Sequence, residues 1–67
     1  MAEIRINGVA RSVADGVTID ELLYELDLPA KRIAVEYNGE VVSKQRWREV
    51  NLGDGDRLEV VHFVGGG

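Results

Sequence analysis

The residues of this 67-residue chain best suited to chemistry are its last three, Gly65-Gly66-Gly67. A terminal carboxylate has an ordinary pKa of about 3.5, so at neutral pH it is ionised and a poor electrophile. Condensation with ATP changes that, because an acyl-adenylate carries a good leaving group. Attack by a persulfide or another sulfur donor then leaves a thiocarboxylate, whose sulfur is a far better nucleophile than the oxygen it replaces. Glycine suits both steps because nothing branches next to the reacting carbon. Three extended glycines reach about 10 Å, at roughly 3.3 to 3.6 Å per residue, far enough to thread a narrow channel. The competing explanation is a frayed terminus with no role, and the rest of the chain has to decide between them.

No other group of residues offers a catalytic constellation. There is no cysteine and one histidine, His62, with no carboxylate or nucleophile evidently arranged beside it, so it reads as a strand residue at a sheet margin. A metal site would have to rest on carboxylates, and none are spaced as a metal loop requires; Asp54-Gly55-Asp56 is too sparse for calcium and suits a turn. No phosphate-cradling loop appears. The expectation is a protein without catalytic residues, bound cofactor or metal. Twelve acidic against eight basic side chains give a net charge of −4, which repels a phosphate backbone, so no nucleic acid is expected as partner. No apolar run approaches the roughly 20 residues needed to span a bilayer. Met1-Ala2-Glu3-Ile4-Arg5 lacks the apolar stretch of a secretory signal, so neither membrane nor export is expected and the location is read as cytoplasmic.

The elements that must present the glycines can be read from periodicity. Glu3 to Ile6 alternates charged and apolar residues, Asn7-Gly8 follows, and Val9 to Val13 continues, which predicts a first hairpin. Thr18-Ile19-Asp20-Glu21 is a capping box opening a helix, with Ile19, Leu22, Leu23 and Leu26 on one stripe and Pro29 as its stop. The period returns to two over Ile33, Val35 and Tyr37, with Asn38-Gly39 turning into a fourth strand, Glu40-Val41-Val42. Ser43 to Val50 is too short for an independent helix and predicts one or two loose helical turns over the sheet, anchored by Trp47. Asp54-Gly55-Asp56 turns into a last strand, Arg57 to Val64, that runs straight into the glycines. One helix across one face of a mixed five-stranded sheet is an α+β, two-layer arrangement, which resembles the β-grasp fold of ubiquitin. The expected division is a domain over residues 1–64 and a flexible tail over 65–67.

Several segments together make a more specific likeness: Asn7-Gly8, Thr18-Ile19-Asp20-Glu21-Leu22-Leu23, Ala34 through Val42, Trp47, Asp54 through Glu59, and the ending Val64-Gly65-Gly66-Gly67. Over its whole length the chain resembles the ThiS family, sulfur carriers of thiamine (thiazole) biosynthesis within the ubiquitin-like ThiS/MoaD superfamily. The resemblance implies that an E1-like, ThiF-type adenylyltransferase uses ATP to activate Gly67, and that a persulfide donor supplies sulfur to make the thiocarboxylate there. A ThiG-type thiazole synthase would then take the sulfur together with a deoxyxylulose-phosphate substrate. MoaD, the sulfur donor for molybdopterin synthesis, shares the fold and a Gly-Gly end. Its tail commonly carries prolines where this chain has His62-Phe63-Val64. A ubiquitin-like binding module that is never activated is the other alternative; it predicts indifference to loss of Gly67.

Alternation along the last strand puts Leu58, Val60 and His62 on one face and Glu59, Val61 and Phe63 on the other. With Leu58 and Val60 in the core, Val61, Phe63 and Val64 form the expected docking patch for an activating enzyme, and Gly65 and Gly66 thread its active site.

Overall fold

Both Asn-Gly pairs turn the chain back on itself in the way their conformational freedom permits. In the computed structural model, which describes residues 1–63, Asn7 and Gly8 have φ of 50° and 83°, and Asn38 and Gly39 have φ of 49° and 90°. Two successive left-handed residues match the right-handed twist of the flanking strands. The first turn joins β1 (Ala2–Ile6) to β2 (Val9–Val13), and the second joins β3 (Ile33–Tyr37) to β4 (Glu40–Val42).

Between the hairpins lies α1 (Ile19–Glu25). The capping box is complete: the Glu21 N–H donates to Thr18 Oγ1 at 3.1 Å, and the Thr18 N–H donates to Glu21 Oε1 at 3.0 Å. The end of the helix differs from expectation. Pro29 does not stop it; Asp27 does, by entering the left-handed region at φ 56°. There its N–H donates to the Tyr24 carbonyl at 3.0 Å and that of Leu28 to the Leu23 carbonyl at 3.1 Å, a Schellman motif that satisfies two orphan carbonyls. Pro29 instead leads into a short 3-10 turn, Ala30–Arg32.

The last strand, β5 (Arg57–His62), lies at the centre of a mixed sheet of order β2-β1-β5-β3-β4, parallel to β1 and antiparallel to β3. It is shorter than the expected Arg57 to Val64. Phe63 has left the strand, although its N–H still donates to the Arg32 carbonyl at 2.7 Å, and Val64 lies outside the described residues. The helix covers one face. Ile19, Leu22 and Leu23 pack with Ile4, Ile33, Val35, Leu58 and Val60, and full burial of such a side chain contributes about 1.5 to 3 kcal/mol. A second 3-10 segment, Lys44–Glu49, completes that layer. Its Trp47 is 2% exposed and donates Nε1–H to the Val42 carbonyl at 3.0 Å, so the indole is the packing anchor its surroundings suggested. The chain just after this segment is tied to the helix start: Thr18 and Asn51 form a bridge, and the Leu52 N–H donates to the Val17 carbonyl at 2.8 Å. No helix of the described residues is long and apolar enough to cross a membrane.

Candidate functional site: the last strand and its exposed face

β5 carries the chain towards its terminal residues, and the two hairpin asparagines brace it from opposite sides. β1 turns away at Asn7, leaving β5 to run on without a parallel neighbour. The Asn7 side chain takes the missing neighbour's place. Its Oδ1 accepts the Val60 N–H at 2.7 Å and its Nδ2 donates to the Val60 carbonyl at 3.2 Å, while its backbone N–H donates to the Leu58 carbonyl at 2.9 Å. An amide side chain thus extends the ladder by one peptide unit. On the β3 side, Asn38 Oδ1 accepts the Arg57 N–H at 2.9 Å, and the Asn38 N–H donates to the Arg57 carbonyl at 2.8 Å.

Asp56 fixes the entry to the strand. One carboxylate oxygen accepts from the Gly53 N–H at 2.8 Å and the Tyr37 hydroxyl at 3.0 Å; the other accepts from Asn38 Nδ2 at 3.2 Å. Burial by itself pushes this carboxyl's pKa up. The Gly53 N–H, then the Asn38 amide and the Tyr37 hydroxyl, stabilise the anion and hold the net value below the usual carboxylate range. Tyr37 moves the other way: burial, the hydrogen bond it donates to Asp56 and the charge of that carboxylate all raise its pKa. Asp54 ties the same turn to the sheet by accepting the Glu3 N–H at 2.7 Å. None of these long-range roles was legible from spacing, since a turn accounts for Asn7, Asn38, Asp54 and Asp56 locally.

On β5, Leu58 and Val60 are buried and Val61 is 52% exposed on the face away from the helix, so the expected alternation holds as far as Val61; His62, expected on the inner face, is exposed as well, and Phe63, 60% exposed, lies just past the strand. Val41 of β4 is a further exposed apolar residue on that face, next to Glu36 across the β3–β4 pair, and it did not figure among the expected patch residues. Val64, Gly65, Gly66 and Gly67 lie outside the described residues. His62 is exposed at the strand end, opposite Ile33. Among the described residues, no three or more histidines and carboxylates gather where they could hold a metal ion.

The ThiS family model matches residues 4–67, a span that includes the glycines. The sulfur carrier protein ThiS of Bacillus subtilis is 49% identical over 53 residues, which is 79% of this chain and 80% of that protein. A thiazole synthase of Paramagnetospirillum magneticum is 44% identical over 62 residues, 92% of this chain but 19% of that protein, so the chain corresponds to about a fifth of that longer relative. Among solved structures, the crystal structure of the thiamine biosynthesis protein ThiS from Geobacter metallireducens superposes with a TM-score of 0.85 at 34% identity, covering 97% of this chain and 99% of that one.

Proposed function

The chain belongs to the ThiS family, and on that premise we propose that it is a sulfur carrier protein of thiamine biosynthesis, a protein substrate rather than an enzyme, with Gly67 as the loaded residue. The observation that carries this reading is the likeness to a sulfur carrier protein ThiS at 49% identity, within a family match that runs through the terminal glycines. The central position of β5, hydrogen-bonded on both sides, supports it mechanically, because the residues that follow then start from a fixed point of the sheet.

The chemistry proceeds in three balanced steps. The Gly67 carboxylate attacks the α-phosphorus of ATP in the active site of a ThiF-type adenylyltransferase, forming the acyl-adenylate and releasing pyrophosphate. The terminal sulfur of a persulfide attacks the acyl carbon, expelling AMP and leaving an acyl disulfide. A second thiol then attacks the donor's sulfur in that disulfide; it is oxidised to a mixed disulfide with the donor, and the Gly67 thiocarboxylate is released. ATP and sulfur therefore belong to the partners, and the chain needs no resident cofactor.

Val61, Phe63 and Val64 dock the activating enzyme, and Gly65 and Gly66 thread its channel. The accepting enzyme is a ThiG-like thiazole synthase, a role supported by the occurrence of a similar segment within a protein of that name. The cytoplasm is where these partners and ATP meet. The test is pyrophosphate exchange: labelled pyrophosphate enters ATP only when the adenylyltransferase reversibly activates a carboxylate. Exchange that requires the chain and disappears on deletion of Gly67 is the expected result. Exchange indifferent to that deletion would leave a β-grasp binding module instead.

A further inference from the structure

The face of the sheet opposite the helix sorts its charges by row. Across the β1–β5 pair Arg5 lies directly opposite Arg57. Two residues further along β5, Glu59 lies directly opposite Glu36 of β3. Two residues further again, Val61 lies opposite Ala34, and Phe63 follows. Arg57, Glu59 and Val61 share the face that the buried Leu58 and Val60 do not, as Arg5 does against Ile4 and Glu36 against Val35. Along β5 the surface is therefore basic, then acidic, then apolar, in steps of about 7 Å at two residues each; on the flanking strands Glu3 lies one step before Arg5, and the exposed Val41 ends the acidic row beside Glu36.

Like charges directly opposite across an antiparallel pair are destabilising; Glu36 and Glu59 are such a pair, and Arg5 and Arg57 stand in register across the parallel pair beside it. Internal ion pairs do not neutralise them: the salt bridges among the described residues join the Met1 ammonium to Asp15 and Arg46 to Glu49, and the Arg5 guanidinium donates to the Gly8 carbonyl at 3.1 Å. No direct ion pair joins the basic row to the acidic one. A partner with bands of opposite sign gains a register.

Resting on the docking role proposed above for Val61 and Phe63, we infer that the Arg5/Arg57 and Glu36/Glu59 rows set the register in which the adenylyltransferase docks. That enzyme presents basic side chains to Glu36 and Glu59 and acidic ones to Arg5 and Arg57, beside an apolar contact for Val61 and Phe63. An apolar contact alone tolerates sliding. Here a slip of one band sets like charges face to face, and complementary potentials are what suppress wrong alignments. The register matters because a slip of about 7 Å uses up most of the roughly 10 Å that three glycines span.

The test measures association of the adenylyltransferase with three forms of the full chain at several salt concentrations: unmodified, Glu36→Gln with Glu59→Gln, and Val61→Asp with Phe63→Asp. The glutamine pair is expected to slow association roughly tenfold at low salt and to flatten its salt dependence. Its urea midpoint should be no lower than that of the unmodified chain, which separates lost docking from lost folding. If the glutamine pair binds with unchanged rate and salt dependence while the aspartate pair fails to bind, the docking surface stands and the charge register is refuted. If the aspartate pair binds normally, the docking role falls and the inference with it. Self-association of the unmodified chain that is abolished by the same glutamines would assign the rows to a second copy and overturn the inference.

Discussion

Asn7 holds β5, and replacing it separates turn chemistry from bracing. Asn7→Gly keeps a residue at ease at φ 50°, so the hairpin survives, but both side-chain hydrogen bonds to Val60 are lost. Each is part-buried, and a typical net value is about 1 kcal/mol, giving a loss of about 2 kcal/mol in total. At 0.05 to 0.15 kcal/mol per residue, a domain of this size has only about 3 to 10 kcal/mol to lose. With a slope near 1 kcal/mol per molar, the urea midpoint should fall by about 2 M. At about 4 to 8 °C per kcal/mol, Tm should fall by about 8 to 16 °C. Hydrogen exchange locates the effect: the Val60 amide should lose protection more than those of β2. Asn7→Asp should also destabilise, since it retains the acceptor for the Val60 N–H but sets a carboxylate oxygen against the Val60 carbonyl. A midpoint shift for Asn7→Gly below about 0.5 M, with Val60 protection intact, would refute the claim that this side chain substitutes for a strand neighbour.

Asp27→Gly should stabilise the fold by up to about 1 kcal/mol, because the left-handed conformation at φ 56° strains an L-residue; urea denaturation measures it. Trp47→Phe should cost about 1 to 3 kcal/mol by leaving the Val42 carbonyl without its indole donor, read as a lower urea midpoint with a native-like circular dichroism spectrum. Because the folded-state pKa of Asp56 is depressed, its contribution to stability is fully present above the unfolded value near 4 and is lost as pH falls through the lower folded value. Asp56→Asn should therefore lower stability at pH 7 and reduce the dependence on pH below about 4, measured by denaturation across that range. The raised pKa of Tyr37 works at the alkaline end: its contribution is present below about 10 and is lost as pH rises through the folded value, a loss that Tyr37→Phe should remove.

The parts of this fold legible in the sequence are those with local causes. Asn7-Gly8 and Asn38-Gly39 dictate tight hairpins by backbone preference alone, and Thr18 with Glu21 closes a capping box within four residues. Apolar alternation was enough to put Leu58 and Val60 inward and Val61 outward. The helix end is not legible in the sequence, because Pro29 is the louder signal, whereas Asp27 adopts a conformation more usual for glycine or asparagine. The roles that depend on strand order were not legible. Asn7 meets Val60 at 53 residues' separation, and Glu36 meets Glu59 only because β5 inserts between β1 and β3. Nothing in either local stretch records that insertion.

Mass analysis of the C-terminal peptide, after incubation with ATP, a persulfide donor, a thiol and a ThiF-type adenylyltransferase, tests the central claim most directly. On the intact chain, exchange of one carboxyl oxygen for sulfur has the same nominal gain as oxidation of Met1, so the gain is read on the C-terminal peptide, which lacks Met1, and assigned by fragmentation and by alkylation of the new sulfur. The sulfur-carrier account predicts an alkylatable gain confined to Gly67. A terminal peptide of unchanged mass, with an enzyme shown to be active on another carrier, would contradict it.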